Sequence, residues 1–306
     1  MNLQSPKKFK MMVDQAHEVA LNVLRPISRK YDKAEHAYPK ELDMLASLID
    51  GMNEGGEGIN AGAAVGKRGE TETGNKNGNN MSTALGIIEM CYGDTGLLLS
   101  MPRQGLGNSA IAAVANDEQL ERFKGTWAAM AITEPGCGSD SAAIRTTATQ
   151  DGDEYILNGE KIFVTSGDRA DSVVVWATLD KKLGRAAIKS FVVPKGTAGM
   201  KVERLEHKLG IKASDTAVIS FIDCRVPAAN LLGNPEIDVA KGFAGVMETF
   251  DNTRPLVAAM AIGCAKASLE RIKEIFKDQL DPDYKTPYLQ TSNLAAQIYR
   301  MEAEWE

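Results

Sequence analysis

The chain contains the run Met130-Ala-Ile-Thr-Glu-Pro-Gly-Cys-Gly-Ser-Asp140, which combines short side chains, two glycines and two hydroxyl groups. Gly136 and Gly138 allow a ligand to approach the main chain closely. Thr133 and Ser139 add donors for carbonyl or pyrophosphate oxygens. The run is therefore typical of a wall against which a large anionic cofactor lies. A Pro-Gly surface loop that closes a helix is the alternative interpretation.

Strand signals follow this run directly. Residues 147–180 resemble paired strands, and Asp151-Gly152 and Asn158-Gly159 each suit a two-residue hairpin turn. Phe163 and Thr165 are two residues apart, so strand alternation places both on one face. An aromatic ring beside a hydroxyl suits an isoalloxazine, because the ring covers one face while the hydroxyl bonds a flavin nitrogen. Taken alone, Phe163 would be interpreted as a core residue.

Five sequence blocks occur in a fixed order over about residues 85–270. They are Thr133-Glu-Pro-Gly-Cys-Gly-Ser-Asp140, Asn158-Gly-Glu-Lys161, Val164-Thr-Ser-Gly167, Lys208-Leu-Gly-Ile-Lys-Ala-Ser-Asp-Thr216 and Phe250-Asp-Asn-Thr-Arg-Pro255. Together they resemble the acyl-CoA dehydrogenase family of flavoproteins. The resemblance implies an α+β multidomain fold with an N-terminal helical domain, a middle β-barrel-like domain and a partial C-terminal helical domain.

The distribution of apolar residues predicts the same order of helix, strand and helix. Residues 8–50 and 82–114 show helical spacing, strand signals fill about 126–232, and 239–279 is helical again. Pro255 inside the last helix removes one amide donor and is expected to kink it.

We therefore expect three domains. They cover residues 1–125 (α-helical), 126–233 (β, carrying the flavin wall) and 234–306 (partial α-helical). Within the first, residues 51–80 turn polar and glycine-rich, which predicts a mobile loop that is either disordered or in contact with a partner.

The resemblance implies α,β-dehydrogenation of an acyl-CoA thioester, with FAD as cofactor and a place in fatty acid β-oxidation. A carboxylate would remove the α-proton while the β-hydride passes to flavin N5. The implied cofactor-binding residues are Met130, Ile132, Thr133, Ser139, Phe163 and Thr165. The implied substrate-binding residues are Ser139, Asp251 and Arg254. The expected partners are the acyl-CoA substrate, an electron-transfer flavoprotein, and other subunits of a homo- or hetero-oligomer.

The catalytic base of the family is not found in this sequence. The family places a glutamate either early in the first C-terminal helix, where this chain has Thr253, or in a later segment that would lie beyond Glu306. Glu248 and Asp251 are the nearest acids, yet helical spacing points them away from Thr253. Asp251 and Arg254 are three residues apart and are equally able to pair with each other. We assign no base from the sequence.

Three hypotheses follow from this departure. The chain is either a catalytic subunit completed by another chain, a non-catalytic structural subunit of a heteromeric acyl-CoA dehydrogenase, or a truncated inactive product. The second gains support from residues 278–285, where three acids replace the basic segment that holds flavin in the family. The third gains support from helix-like sequence up to residue 306.

Composition fits a globular protein, with 306 residues, 43% hydrophobic and 25% charged. A formal charge of -6 disfavours a general nucleic-acid surface. Neither a leader peptide nor an apolar run of membrane-spanning length is evident, which predicts a cytoplasmic protein without a membrane segment. The cysteines are widely separated and are expected to be reduced thiols without metal. They are Cys91, Cys137, Cys224 and Cys264.

The histidines are scattered along the chain without an obvious carboxylate or cysteine partner. They are His17, His36 and His207, and we expect surface or capping roles and no metal site. Residues 62–68 miss a phosphate-binding loop by one residue of spacing. Gly105-Leu-Gly107-Asn-Ser-Ala110 satisfies a dinucleotide fingerprint, but no strand and helix alternation surrounds it, so it is interpreted as a helix-packing turn.

Overall fold

The computed structural model describes residues 7–54, 79–103, 105–237, 244–281, 284–287 and 290–305. Helices form both ends of the chain and strands form its middle, as predicted. The helices that precede the strands are α1 (Lys10–Val19), α2 (Arg25–Lys33), α3 (Glu41–Glu54), α4 (Asn79–Gly93), α5 (Thr95–Leu99), α6 (Leu106–Val114) and α7 (Asp117–Arg122). Those that follow the strands are α8 (Ala244–Ile275) and α9 (Asn293–Trp305).

The N-terminal helices share one apolar core with α8. Leu24, Leu42, Ile87 and Leu97 are fully or almost fully buried, and Ala259 of α8 belongs to the same cluster. The contact between α4 and α8 is close, since a Cβ added at Gly263 would lie 2.2 Å from the carbonyl oxygen of Ile88. The first part of the C-terminal helical region is thereby held against the N-terminal helices.

The described strands form a curled sheet of seven strands. They are β1 (Ala128–Ala131), β2 (Thr147–Asp151), β3 (Glu154–Thr165), β4 (Ser172–Thr178), β5 (Ile188–Pro194), β6 (Met200–Leu205) and β7 (Thr216–Pro227). The sheet order is β1-β4-β2-β3-β7-β6, and β5 pairs with the other edge of β4. β1 and β2 are parallel to β4, whereas the β2–β3, β3–β7, β4–β5 and β6–β7 pairs are antiparallel.

Strand β4 is buried on both faces, which explains its continuous apolar sequence. Val173 and Val175 point into the core enclosed by the curled sheet. Val174 and Trp176 point to the opposite face and pack with Ile111 of α6. A strand covered on both sides needs apolar residues at successive positions instead of alternation.

The predicted hairpin at Asp151-Gly152 is present, because Asp151 pairs with Glu154 across a turn that starts at Gly152. The turn predicted at Asn158-Gly159 is wrong. These residues lie inside the continuous strand β3, at a bulge in its pairing with β7. Gly159 has a φ of 155°, and a Cβ there would lie 2.4 Å from Thr146 Oγ1. The glycine is needed for a close approach within the sheet and not for a turn.

The apparent dinucleotide fingerprint is a packing contact, as interpreted from the sequence. Gly105 directly precedes α6, which lies against β1. Added Cβ atoms at Gly105 and Gly107 would lie 2.1 Å from Ala128 O and 2.2 Å from Ala129 O, respectively. The segment proposed to support a nucleotide fold, residues 97–101, is mostly helix α5.

Other sequence expectations have mixed outcomes. The ends of the polar segment 51–80 are helical, in α3 and α4, while residues 55–78, including the near miss at 62–68, lie outside the described residues. The four cysteines are free thiols. None of the helices among the described residues combines the length and hydrophobicity required to cross a bilayer. The domain boundaries at 125/126 and 233/234 remain a prediction.

We expect Gly159→Ala to lower the free energy of unfolding by about 3 kcal/mol, since the new methyl group would collide with Thr146 in a backbone conformation that alanine rarely adopts. Urea-induced unfolding measures the change. Gly210→Ala is the control, because nothing lies within 4 Å of a Cβ at Gly210, and its effect should stay within about 0.5 kcal/mol. Equal effects of the two substitutions would contradict the close approach.

Candidate functional site

The loop that follows β1 is closed by its own main chain. The amide of Glu134 donates to Cys137 O at 2.9 Å, and the amide of Cys137 donates to Glu134 O at 3.1 Å. The amide of Ile162 donates to Thr133 O at 2.9 Å, which fixes the loop to β3. Ser139 stays exposed at the far end of this loop.

A buried ion pair lies beneath the loop. Lys161 is fully buried, and its Nζ donates to Glu134 Oε1 at 2.8 Å and to Ile132 O at 3.0 Å. The Glu134 carboxylate also accepts the amides of Arg145 and Thr146, at 2.7 and 2.9 Å, and the Thr146 hydroxyl at 2.6 Å. Both charges therefore have hydrogen-bond partners that compensate for their removal from water.

These contacts set the protonation state of the pair. Burial by itself would raise the pKa of Glu134, but the Lys161 charge and the hydrogen bonds from Lys161, Thr146 and Arg145 hold that pKa below its ordinary value. Burial lowers the pKa of Lys161, and Glu134 opposes that effect. Glu134 is thus ionised under the loop, where it can receive the surrounding donors.

Phe163 and Thr165 face away from the sheet core. Val164 between them is 1% exposed and belongs to that core, whereas Phe163 is 61% exposed and Thr165 is half-buried. Phe163 lies at the second bulge of β3 and has a φ of 57°, in the left-handed region. The left-handed backbone of a large aromatic residue costs about 1–3 kcal/mol. Because most of the Phe163 ring is exposed, packing of the ring does not offset this cost.

The other predicted flavin residues lie at the end of β1 and in the loop that follows it. Met130 of β1 and Thr133 are half-buried. Ile132 belongs to the buried cluster outside the curled sheet that also contains Val174 and Trp176, which we call the outer core. At Gly136 no atom lies within 4 Å of an added Cβ, so the outer side of the loop is open. The structure therefore gives Met130, Thr133 and Ser139 accessible surface, whereas Ile132 contributes mainly its main chain.

A second buried ion pair joins the end of β3 to the N-terminal helices. Arg169 Nε lies 3.4 Å from Asp215 Oδ1, a distance too long for a good hydrogen bond, and both side chains are almost fully buried. Arg169 also donates to Ala213 O at 2.9 Å and to Ala37 O at 3.0 Å. Asp215 Oδ2 accepts the amide of Asp168 at 3.0 Å. The turn after Thr165 is therefore held from two sides.

The predicted substrate residues lie near the beginning of α8. Arg254 donates to Asp251 Oδ1 at 3.2 Å, as the pairing alternative proposed, and both side chains remain exposed. Phe250 packs against the outer core that contains Ile132, so this end of α8 lies beside the loop. Thr253 is 6% exposed, and its hydroxyl donates to the main chain of the same helix. The side chain of Glu248 lies outside the described residues.

Known proteins share sequence similarity with most of this chain. The family profile "Acyl-CoA dehydrogenase, middle domain" matches residues 129–224. The chain is 33% identical over 284 residues to acryloyl-CoA reductase (NADH) of Anaerotignum propionicum, covering 88% of this chain and 66% of the relative. It is 30% identical over 287 residues to the short-chain specific acyl-CoA dehydrogenase of Clostridium acetobutylicum, covering 91% of this chain and 71% of the relative. The chain belongs to the acyl-CoA dehydrogenase family.

Structural comparison supports the same membership over the whole chain. Butyryl-CoA dehydrogenase from Megasphaera elsdenii superposes with a TM-score of 0.78 at 28% identity, covering 100% of this chain and 77% of that one. The chain thus spans about two thirds of the length of several curated relatives that it matches, 63% in the case of the rat mitochondrial short-chain enzyme. The family consists of FAD-dependent oxidoreductases that act on CH–CH donors.

The residues of this acyl-CoA dehydrogenase family member fit a flavin. An exposed aromatic ring and a hydroxyl two residues later offer the planar contact and the hydrogen bond that an isoalloxazine takes. The open edge at Gly136 and the exposed Ser139 leave room for a polar, anionic portion.

Two of the histidines have carboxylate partners that were not obvious from the sequence. His17 Nδ1 lies 2.7 Å from Glu89 Oε2, and His207 Nδ1 lies 3.0 Å from Glu35 Oε2. Both acids are distant in sequence, so spacing alone could not reveal the pairs.

Sequence reasoning also missed the roles of Glu134, Lys161, Arg169 and Asp215. Three of them lie inside the blocks that identified the family, and Arg169 follows one of them by two residues. One sequence signal was available: acidic and basic residues occur within blocks that contain many apolar or small residues. Such a signal indicates burial with a partner, although it does not say which acid meets which base.

We expect Lys161→Met to lower the free energy of unfolding by about 3–5 kcal/mol, because it leaves the Glu134 carboxylate buried without its counter-charge. Combining it with Glu134→Gln should recover much of this loss. Urea-induced unfolding of the single and double variants gives both numbers. Lys201→Met is the control, because Lys201 forms an exposed pair with Glu203 worth at most about 1 kcal/mol. A loss no larger than that of the control would refute the role of the buried pair.

Proposed function

We propose that this chain is an acyl-CoA dehydrogenase-type flavoprotein subunit, which catalyses α,β-dehydrogenation of an acyl-CoA thioester within an oligomer. One observation carries the proposal: Phe163 is held at a bulge in a left-handed conformation with most of its ring exposed. A planar ligand would cover this ring and remove it from water, which offsets the backbone cost.

Each part of the wall has a role in this proposal. Phe163 covers one face of the flavin ring, and Thr165 offers its hydroxyl to a ring nitrogen. Met130 and Thr133 form the adjoining surface, and Ser139 binds polar oxygens of the cofactor or thioester. FAD, when bound, supplies the acceptor for the hydride that leaves the β-carbon of the substrate.

The buried ion pairs keep these groups in place. Glu134 and Lys161 fix the loop that carries Thr133 and Ser139, while Arg169 and Asp215 fix the turn after Thr165. A donor that is held in position in this way, such as Ser139, stabilises the charge that develops on a thioester carbonyl without reorganisation during the reaction. Arg254, exposed near the start of α8, is proposed to contact the CoA moiety.

A second candidate function is a non-catalytic structural subunit. It is favoured by Thr253, which occupies the position of the family's early glutamate and is buried with its hydroxyl on the helix main chain. Asp251, the nearest described acid of α8, pairs with Arg254 and is exposed. We therefore assign no base among the described residues, and the catalytic proposal requires a carboxylate from elsewhere in the assembly.

The proposal includes the partners that the family resemblance implies. They are an acyl-CoA substrate, an electron-transfer flavoprotein that removes electrons from the flavin, and either copies of this chain or related subunits. A cytoplasmic location and a place in fatty acid β-oxidation belong to the same proposal.

Thr165→Val should weaken FAD binding about tenfold, because it replaces a donor to the flavin by a methyl group of nearly the same size. Titration of the flavin-free protein with FAD, followed by flavin fluorescence, measures the affinity. Thr149→Val is the matched control, since Thr149 is exposed on β2 and is outside the wall. Unchanged affinity of Thr165→Val relative to wild type would remove Thr165 from the proposed site.

The proposed activity predicts that the FAD-containing assembly loses visible flavin absorbance when mixed anaerobically with butyryl-CoA or octanoyl-CoA. The assembly is purified from its own host, and native mass spectrometry records its FAD and any second polypeptide. Arg254→Ala should raise the half-maximal acyl-CoA concentration about tenfold, because a charged contact is lost.

Arg271→Ala provides the control for that test, since Arg271 pairs with Glu274 three residues later on the same helix. It should leave the half-maximal concentration unchanged. An assembly that binds FAD and acyl-CoA but keeps its full absorbance would favour the structural subunit over the enzyme.

A further inference from the structure

Three potential metal ligands meet where the turn after α2 lies beside the segment after β6. Glu35 and His36 come from the turn, and His207 comes from the segment. The Glu35 carboxylate accepts from the Lys208 amide at 2.9 Å and lies 3.0 Å from His207 Nδ1. The rings of His36 and His207 are 5.2 Å apart between centroids.

His36 is the unusual member of this cluster. Both of its ring nitrogens are buried, and neither has a hydrogen-bond partner. Its φ of 70° is in the left-handed region, and Arg169 donates to its carbonyl oxygen at 3.3 Å. A buried polar group without a partner costs about 1–3 kcal/mol, and the backbone conformation adds to that cost. A ligand on the imidazole would compensate for the first of these costs.

The donor set identifies the kind of ligand. One oxygen or nitrogen atom from each of the three side chains lies within 4.8 Å of the others. Two imidazoles and one carboxylate suit Zn²⁺, which takes three protein ligands and one water in an open tetrahedral site. Tetrahedral ligands lie roughly 3.3 Å apart, so the cluster must contract on binding. The His207 side chain is 84% exposed and has the freedom to rotate inward.

We propose that Glu35, His36 and His207 form a Zn²⁺ site that fastens the N-terminal helices to the segment between β6 and β7. That segment leads into Thr216, which pairs with Thr165 at the end of β3. The site is separate from the flavin wall, and the proposal is independent of the proposed activity.

The surrounding charges affect the strength of the site. Lys212, Lys208 and Arg169 are cations near the cluster, and their charges oppose the binding of a metal cation. We therefore expect weaker binding than at a structural zinc site built from thiolates.

Calorimetric titration of the chelator-treated, dialysed full chain with Zn²⁺ tests the proposal. A Cys264→Ser background removes the exposed thiol, which could bind zinc by itself. We expect one Zn²⁺ per chain, and we expect His207→Ala, His36→Asn and Glu35→Gln each to weaken binding at least about tenfold. Asparagine is chosen at position 36 because it tolerates a left-handed backbone.

His17→Gln is the matched control, since His17 also pairs with a glutamate but lies outside the cluster. It should leave the affinity unchanged. His207→Ala changes an exposed side chain, so its circular dichroism spectrum should match that of the parent and separate lost binding from lost folding. The Co²⁺-substituted protein should show visible bands without a thiolate charge-transfer band, and these bands should vanish in His207→Ala.

Two results would overturn the proposal. One is Zn²⁺ affinity that is the same in the parent and in a His36→Asn, His207→Ala double variant. The other is the absence of measurable Zn²⁺ binding to the folded parent protein.

Discussion

The ion pair between Glu134 and Lys161 is the interaction on which the candidate site depends. It joins the loop after β1 to the middle of β3, and Thr146 supplies two of the hydrogen bonds that let the carboxylate remain charged. Removing two charges from water is unfavourable, and a pair of apolar residues could often serve stability equally well. What the pair adds is a fixed position, since the ammonium must reach both Ile132 O and the carboxylate.

Near that ion pair, two bulges in β3 change the direction of its side chains. The bulges of β3 interrupt its pairing with β7, and the second one turns Phe163 away from the core that Val164 enters. Gly159 at the first bulge brings the strand against Thr146, whose hydroxyl donates to Glu134 of the same ion pair. The first bulge of β3 therefore contacts the hydrogen-bond network of the buried ion pair, and the second bulge exposes the Phe163 ring.

Sequence reasoning succeeded where the signal was local or was carried by several blocks together. It predicted the helix, strand and helix order, the turn at Gly152 and the pairing alternative for Asp251 and Arg254. It failed at Asn158-Gly159, because a glycine required for close packing has the same local sequence as a hairpin turn. Contacts such as Glu35 with His207 join residues far apart in sequence, and no periodicity encodes them.

Complete enclosure of Lys161 also has a chemical effect. A free amine attacks thioesters and becomes acylated, and lysine is the usual target. The Lys161 amine is shut off from solvent and its Nζ is engaged by Glu134 and Ile132 O, so an acyl donor has no access to it. Lys201, by contrast, projects into solvent and stays open to acyl donors. Burial of Lys161 thus protects a lysine beside the proposed flavin wall from acylation.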